Sequence, residues 1–187
     1  LQAFGRAIDS LGGNYVTAQD VGMSEQDIRA IAETTSYVSG LPASAGAAGG
    51  SPGPSTAYGV YLGIKAAVQE GLGRDSLKGV HVALQGVGAV GGGTARRLAA
   101  EGARLTLADV DSERARSLAD ELGAEVVDTA AILATPADIL SPNALGAILD
   151  SETIAQVQAP VIAGGANNQL ATPQDAQRLH ARGILYA

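Results

Sequence analysis

The glycine-rich segment Gly86-Val87-Gly88-Ala89-Val90-Gly91 constrains the fold of this chain more than any other part of the sequence. It directly follows an apolar, strand-like stretch at 80–85 and directly opens a segment with helical spacing. In such a unit the first glycine permits a tight turn, the second lets a diphosphate approach the backbone, and the third lets the helix pack closely on the strand. The amino end of the helix offers free N–H donors to phosphates, so the segment predicts a dinucleotide site.

Asp109 ends the second predicted strand, 23 residues after Gly86. A carboxylate there accepts hydrogen bonds from ribose hydroxyls and repels a 2′-phosphate, so we expect NAD rather than NADP as the cofactor. The alternative is a glycine-rich turn that serves packing alone, with Asp109 as an ordinary helix cap before Asp111 and Ser112.

Strand-like and helix-like segments alternate beyond residue 80. The predicted strands cover 80–85, 104–109, 125–127, 137–140, 161–163 and 184–187. Because parallel strands need crossover connections, this alternation predicts a parallel sheet covered by helices on both faces. The predicted fold class is α/β, a doubly wound Rossmann-type sheet with strand order 3-2-1-4-5-6 and a small amino-terminal appendage.

The beginning of the chain has a different pattern. A helix opens the sequence, 15–17 reads as a short strand, and Ser24 begins a second helix with Ile28 and Ile31 facing inward. The sequence lacks an initiator methionine and its opening resembles the middle of a helix, so we expect a piece of a longer protein.

A low-complexity stretch separates the two parts. Residues 39–56 are almost all Gly, Ala, Ser or Pro, which predicts a long connecting loop, and 57–72 has helical spacing. We therefore expect 1–55 to be the remnant of a substrate or catalytic domain with its linker, and 56–187 to be an NAD-binding domain.

Composition excludes several function classes. A formal net charge of -7, a pI near 4.7 and the lack of tryptophan disfavour a nucleic-acid partner. The chain has no cysteine and its two histidines are far apart in sequence, so we expect no metal site. No apolar run is long enough for a membrane span and no signal peptide is recognisable, so we expect a cytoplasmic protein without a membrane partner.

Three polar positions are candidate ligand contacts with a structural alternative. Asn167 and Asn168 follow a buried-type strand, at the sheet edge where ligands of open α/β sheets bind, but they could equally shape a left-handed turn. Asp20, in the turn before a helix, is either a functional acid or a cap. His81 and His180 have no catalytic partner in the sequence pattern and are predicted to be structural.

Five motifs occur in the order typical of one enzyme family. The sequence resembles the amino-acid dehydrogenases of the leucine, phenylalanine, valine and glutamate type in Tyr15-Val16-Thr17-Ala18-Gln19-Asp20-Val21-Gly22, Thr56-Ala57-Tyr58-Gly59-Val60-Tyr61, Gln85-Gly86-Val87-Gly88, Ser141-Pro142-Asn143-Ala144-Leu145-Gly146 and Gly165-Ala166-Asn167-Asn168-Gln169-Leu170. The leucine and valine enzymes are the most similar members. They reversibly convert a branched-chain L-amino acid, water and NAD to a 2-oxo acid, ammonium and NADH.

The resemblance implies roles for individual residues. Asp20 would shuttle protons to and from the substrate amine, Thr56 would bind the nicotinamide carboxamide, and Asn167 and Asn168 would contact the nicotinamide ribose and the substrate. A small-molecule substrate and a homo-oligomer are also implied. The predicted cofactor-binding residues are Thr56, Gly86, Val87, Gly88, Ala89, Val90, Gly91, Asp109, Val110, Ala144, Asn167 and Asn168.

The sequence departs from the family pattern in two places. The family's catalytic lysine lies in a glycine-rich segment, and neither Lys65 nor Lys78 has that setting. Position 143 is Asn where relatives more often have a small residue such as Cys. We therefore expect this chain to supply mainly the cofactor-binding part of such an enzyme. The alternatives are a free-standing NAD-binding module without chemistry and, less favoured, an unrelated Rossmann oxidoreductase acting on a 2-hydroxy acid.

Overall fold

The computed structural model describes residues 1–20, 22–42 and 49–187. They form two compact units, Leu1–Pro52 and Gly53–Ala187. In the first unit the helices are α1 (Gln2–Asp9) and α2 (Glu25–Ala32). The helices of the second unit are α3 (Gly53–Leu72), α4 (Ala89–Ala100), α5 (Ser112–Leu122), α6 (Ser151–Gln156) and α7 (Gln174–Ala181), with a 3-10 turn at Ile132–Ala134.

The second unit is built on one parallel sheet. Its strands are β1 (His81–Gln85), β2 (Arg104–Ala108), β3 (Glu125–Val126), β4 (Ile139–Pro142), β5 (Val161–Ile162) and β6 (Leu185–Tyr186). The strand order is β3-β2-β1-β4-β5-β6, and every pairing within it is parallel. The predicted doubly wound fold and its strand order are confirmed. Each predicted strand differs from the observed one by one or two residues at its ends. The largest difference is in β4, which runs from Ile139 to Pro142 rather than over 137–140.

The sheet separates two apolar cores, as expected when successive strand residues point to opposite faces. One core includes Leu84, Leu107 and Ile139, and α3, α4 and α5 contribute to it. The other includes Ala83 and Leu140, with buried residues of α6 and α7. Burial on both faces fixes the register of β1, the strand that leads into the glycine-rich turn.

Two boundaries near the start of the chain differ from the prediction. The strand expected at 15–17 is a single bridge between Thr17 and Val38, because Tyr15 and Val16 are exposed and make no ladder. Helix α3 begins at Gly53 rather than at 57, so the predicted loop ends at Pro52. Residues 43–48 of that loop lie outside the described residues.

Helix α2 begins as the sequence predicted. The Ser24 side chain accepts a hydrogen bond from the Asp27 N–H, and the Asp27 carboxylate accepts one from the Ser24 N–H. This capping box satisfies two backbone donors at the helix start. Ile28 and Ile31 are buried, which confirms the inward face.

We expect His81 to make the protein less stable at mildly acidic pH. His81 is buried in β1 with its Nε2 2.8 Å from the Thr106 hydroxyl, and burial, with repulsion from Arg104, lowers its pKa. The unfolded chain, with a histidine pKa of about 6.5, then binds more protons, so stability falls as pH drops through that value. Urea unfolding should show a smaller loss between about pH 7.5 and 5.5 for His81→Val than for the wild type. An equal loss in both proteins would contradict this role.

Candidate cofactor-binding site

The predicted site residues of the second unit lie mostly at one edge of the sheet. Strands β1, β2, β4 and β5 are parallel, so their carboxyl ends meet at the same edge. From β1 the chain crosses to β2 on one side and later to β4 on the other. The crevice at such a switch in strand order is where open α/β sheets bind ligands.

Two of the three glycines in the β1–α4 turn are required by close packing. Gly86 has a φ of +84°, and its N–H donates to the Ala108 carbonyl at 2.8 Å. A Cβ on Gly86 would lie 2.9 Å from the Cβ of Ala144. A Cβ on Gly91 would overlap the carbonyl oxygen of Gly86. Both positions therefore hold the turn against the sheet, as the sequence pattern predicts.

Gly88 differs from these two because it faces open space. It is the N-cap of α4, and an added Cβ would meet only the Arg114 guanidinium, at 3.9 Å. Open space beside a bare backbone and the amide end of a helix form a cradle for a diphosphate. Ala89 is exposed and Val90 half-buried on the first turn of α4, so both lie next to this cradle.

The Asp109 carboxylate connects the end of β2 to the glycine-rich turn. One oxygen accepts a hydrogen bond from the Val87 N–H at 2.7 Å, and the other accepts one from the Asp111 N–H at 2.9 Å. The N-cap of α5 is Asp111, whose side chain accepts from the Arg114 N–H, so Asp109 is not that helix's cap. Each Asp109 oxygen keeps a lone pair, which could accept a ribose hydroxyl.

A pocket of about 640 Å³ lies beside Asp109. It is lined by Asp109, Val110, Ser112, Arg116, Val126, Val127, Asp128, Thr129 and Ala131. The lining mixes valine and alanine side chains with polar ones, and this mixture next to a carboxylate could hold an adenosine, because the base packs on apolar surface and the ribose needs acceptors. Sequence reasoning found only Asp109 and Val110. The available signal for the lining residues from 126 to 131 was the carboxyl end of β3, a strand of only two residues, whereas Ser112 and Arg116 lie in α5.

The segments that follow β4 and β5 are joined by hydrogen bonds on the other side of β1. Asn168 has a φ of +48°, and its carbonyl accepts a hydrogen bond from the Ala147 N–H at 2.6 Å. Asn168 therefore adopts the left-handed turn conformation that was the structural alternative to a ligand contact. The side chains of Asn167 and Asn168 and the residue Ala144 are nevertheless exposed.

Asn143 ties these two segments together, a role that sequence reasoning missed. Its Nδ2 donates to the Ser141 carbonyl at 2.9 Å, and its Oδ1 accepts from the Gly165 N–H at 3.0 Å. The half-buried amide thus joins the ends of β4 and β5 in the crevice beside β1.

Thr56 lies in the first turns of α3, on its exposed side. The neighbouring Ala57 carbonyl accepts a hydrogen bond from the buried Thr94 hydroxyl of α4 at 3.2 Å. Helix α4 is the helix that follows the glycine-rich turn, so packing of α3 on α4 fixes Thr56 relative to that turn.

Asp20 belongs to the first unit. It is exposed, and its carbonyl accepts a hydrogen bond from the Met23 N–H at 3.0 Å. Because Ser24 is the N-cap of α2, the capping role that Asp20 could have had is taken by another residue.

Comparisons with known proteins show what the chain is similar to. No family model matches the chain. A leucine dehydrogenase from Geobacillus stearothermophilus is 46% identical over 186 residues, covering 100% of this chain and 50% of the relative. The crystal structure of L-tryptophan dehydrogenase from Nostoc punctiforme has a TM-score of 0.77 and 42% identity, covering 100% of this chain and 52% of that one. By sequence and by fold, this chain is a relative of the amino-acid dehydrogenases.

This relative of the amino-acid dehydrogenases spans about half the length of the curated proteins that it matches. A hetero-hexameric glutamate dehydrogenase from Thermus thermophilus shares the fold with a TM-score of 0.75 at 22% identity, covering 98% of this chain and 50% of that one. Leucine and tryptophan dehydrogenases are NAD-dependent, which agrees with the cofactor predicted from the sequence.

Replacing Asn143 with alanine should destabilise this dehydrogenase relative by about 1–3 kcal/mol, because it leaves the Gly165 N–H without its acceptor. The free energy of unfolding in urea measures this loss. Asn14→Ala, which removes an exposed side-chain hydrogen bond to the Leu11 carbonyl, is the control and should cost less. Equal losses would show that the Asn143 bridge adds no stability.

The described residues also lack two kinds of feature. Across 1–20, 22–42 and 49–187, no group of three or more His, Cys, Asp or Glu side chains could hold a metal ion. Over the same residues, every helix is too short or too polar to cross a membrane.

Proposed function

We propose that this chain is the cofactor-binding part of an NAD-dependent amino-acid dehydrogenase, which oxidatively deaminates a branched-chain L-amino acid to the 2-oxo acid. The observation that carries the proposal is the joined pair of turns after β1 and β2. There the open backbone at Gly88 and the Asp109 carboxylate lie side by side, linked by the hydrogen bond from Val87. This arrangement offers donors to a diphosphate and acceptors to a ribose.

The proposed site would contact three parts of the dinucleotide. The amide end of α4 and the segment from Gly86 to Gly91 would hold the diphosphate. Asp109 would accept the adenosine ribose hydroxyls, with Val110 against the base. On the other side of β1, Ala144, Asn167 and Asn168 would contact the nicotinamide ribose. When bound, NAD supplies the oxidant that accepts a hydride from the substrate Cα.

Two polar residues would act at the reacting end. We propose that Thr56 donates to or accepts from the nicotinamide carboxamide, which sets the orientation of the ring. Asp20 would take a proton from the substrate ammonium and return protons during hydrolysis of the imine. The Asp20 carboxylate is exposed, so it can exchange protons with a bound amine and with water.

The preferred substrate is the finer part of the proposal. The matched proteins act on side chains as different as leucine and tryptophan, as their names state, at 46% and 43% identity. We propose a branched-chain aliphatic substrate because the leucine and valine enzymes are the family members that the sequence resembles most. A homo-oligomer in the cytoplasm is the expected setting of such an enzyme.

Calorimetric titration and turnover assays test the proposal together. The chain should bind NAD with one site. The product of the complete reading frame that encodes it should reduce NAD with L-leucine or L-valine faster than with L-tryptophan. Asp20→Asn should abolish turnover and leave the NAD dissociation constant unchanged, whereas Asp9→Asn, an exposed carboxylate change in α1, should alter neither.

The outcomes separate the candidate functions. Absence of NAD binding would contradict the proposed cofactor site and with it the whole proposed function. NAD binding without turnover of any amino acid would favour a cofactor-binding module. Turnover that survives Asp20→Asn would remove the proton-transfer role of Asp20 and leave the cofactor site standing.

A further inference from the structure

Arg114 places a guanidinium against the glycine-rich turn from a different element of the fold. It lies in the first turn of α5, where its backbone N–H donates to the Asp111 side chain at 3.0 Å. Its Nη1 is 3.9 Å from the position that a Cβ on Gly88 would occupy. The sequence pattern of the turn gave no signal for this residue, because it lies 26 positions after Gly88.

The guanidinium is only partly used by the protein. Its Nη2 donates to Asp111 at 2.9 Å, whereas Nη1 is 3.6 Å from Asp109, beyond hydrogen-bond distance. Among the described contacts, Nη1 has no hydrogen-bond acceptor. The Arg114 side chain is about half exposed, at 49%. A planar guanidinium with donors to spare, facing open space, is suited to bind a phosphate.

Negative charge near the glycine-rich turn would weaken binding of a diphosphate unless a cation offsets it. Asp109 and Asp128 line the pocket beside the turn, and Asp111 pairs with Arg114 next to it, in a chain with a net charge of -7. A diphosphate entering there meets negative potential, and the helix amide end offsets it only within about one turn. Arg114 is the cation next to Gly88, whereas Arg116 lines the pocket beyond Asp109.

We propose that Arg114 binds the diphosphate of the dinucleotide. The inference rests on the proposed function, since it needs a dinucleotide at the glycine-rich turn. Arg114 keeps its bond to Asp111 through Nη2 and donates through Nη1 to a phosphate oxygen beside Gly88. The second anionic group that it could reach is a 2′-phosphate at the Asp109 ribose. The position of Nη1 beside Gly88 favours the diphosphate.

The test compares ligands with and without phosphate. Arg114→Ala should weaken binding of NAD and ADP-ribose about tenfold and leave adenosine unchanged, measured by calorimetry and ligand-detected NMR. Arg114→Lys should recover part of the loss, because the charge returns without the planar fork. The effect should shrink as salt rises. Arg29→Ala, which removes one cation from an exposed ion pair in the first unit, should change none of these affinities.

Three results would overturn the inference. Equal losses for adenosine and ADP-ribose would mean that Arg114 supports Asp109 rather than the diphosphate. A loss confined to NADP would assign it to the 2′-phosphate, and unchanged NAD affinity would remove it from the site. Wild-type protein that binds neither NAD nor ADP-ribose would instead defeat the proposed function itself.

Discussion

Gly91→Ala should abolish measurable NAD binding and destabilise the protein by about 3 kcal/mol. The added Cβ overlaps the Gly86 carbonyl and also lies 3.1 Å from the Asn143 Cβ, so relief requires the backbone of the turn to move away from α4. That movement separates the amide end of the helix from the place where a diphosphate would lie. Urea unfolding measures the stability change, and calorimetric titration measures NAD affinity.

Gly63→Ala is the matched control for this change. Gly63 is exposed in α3, and an added Cβ would meet nothing within 4 Å. The same substitution should therefore stabilise the helix by up to about 1 kcal/mol and leave NAD affinity unchanged. A Gly91→Ala protein that binds NAD like the wild type would show that the turn does not hold the cofactor.

Asp109→Ser should weaken NAD binding about tenfold to a hundredfold and reduce the preference for NAD over NADP by at least about tenfold. The carboxylate supplies charged acceptors for ribose hydroxyls and repels a 2′-phosphate, so its removal harms NAD and relieves NADP. The variant also loses the acceptor for the Val87 N–H, which should loosen the turn for both cofactors. The ratio of the two dissociation constants isolates the charge effect.

Asp111→Ser is the matched control, because it removes one negative charge close to Asp109 but not at the expected ribose contact. Asp111 is two residues away and caps α5, and serine is also a good N-cap, so the helix should persist. Both cofactors should be affected alike in this variant. An unchanged ratio in Asp109→Ser, or an equal change in Asp111→Ser, would contradict the discriminating role of Asp109.

Much of the sheet unit could be predicted from the sequence because its signals are local. Gly86 and Gly91 each answer a separate steric demand, Gly88 leaves the backbone open, and the strand before them is buried on both faces. The alternation of strands and helices then leaves few ways to order a parallel sheet. The order β3-β2-β1-β4-β5-β6 follows from that regularity.

What could not be predicted depends on contacts between distant segments. The hydrogen bond from Val87 to Asp109 spans 22 residues, and so does the one from Gly165 to Asn143. Arg114 comes next to Gly88 only because β1 and β2 are neighbours, and no short pattern encodes that proximity. The strand expected at 15–17 failed for a related reason, since a strand needs a partner that the local sequence does not specify.

The most direct test is a crystal structure of this protein after soaking with NAD. We expect the diphosphate beside Gly88 at the amide end of α4, with the adenosine ribose hydroxyls on Asp109. A nucleotide bound elsewhere, or no nucleotide at this turn in crystals soaked at saturating NAD, would contradict the proposed cofactor site.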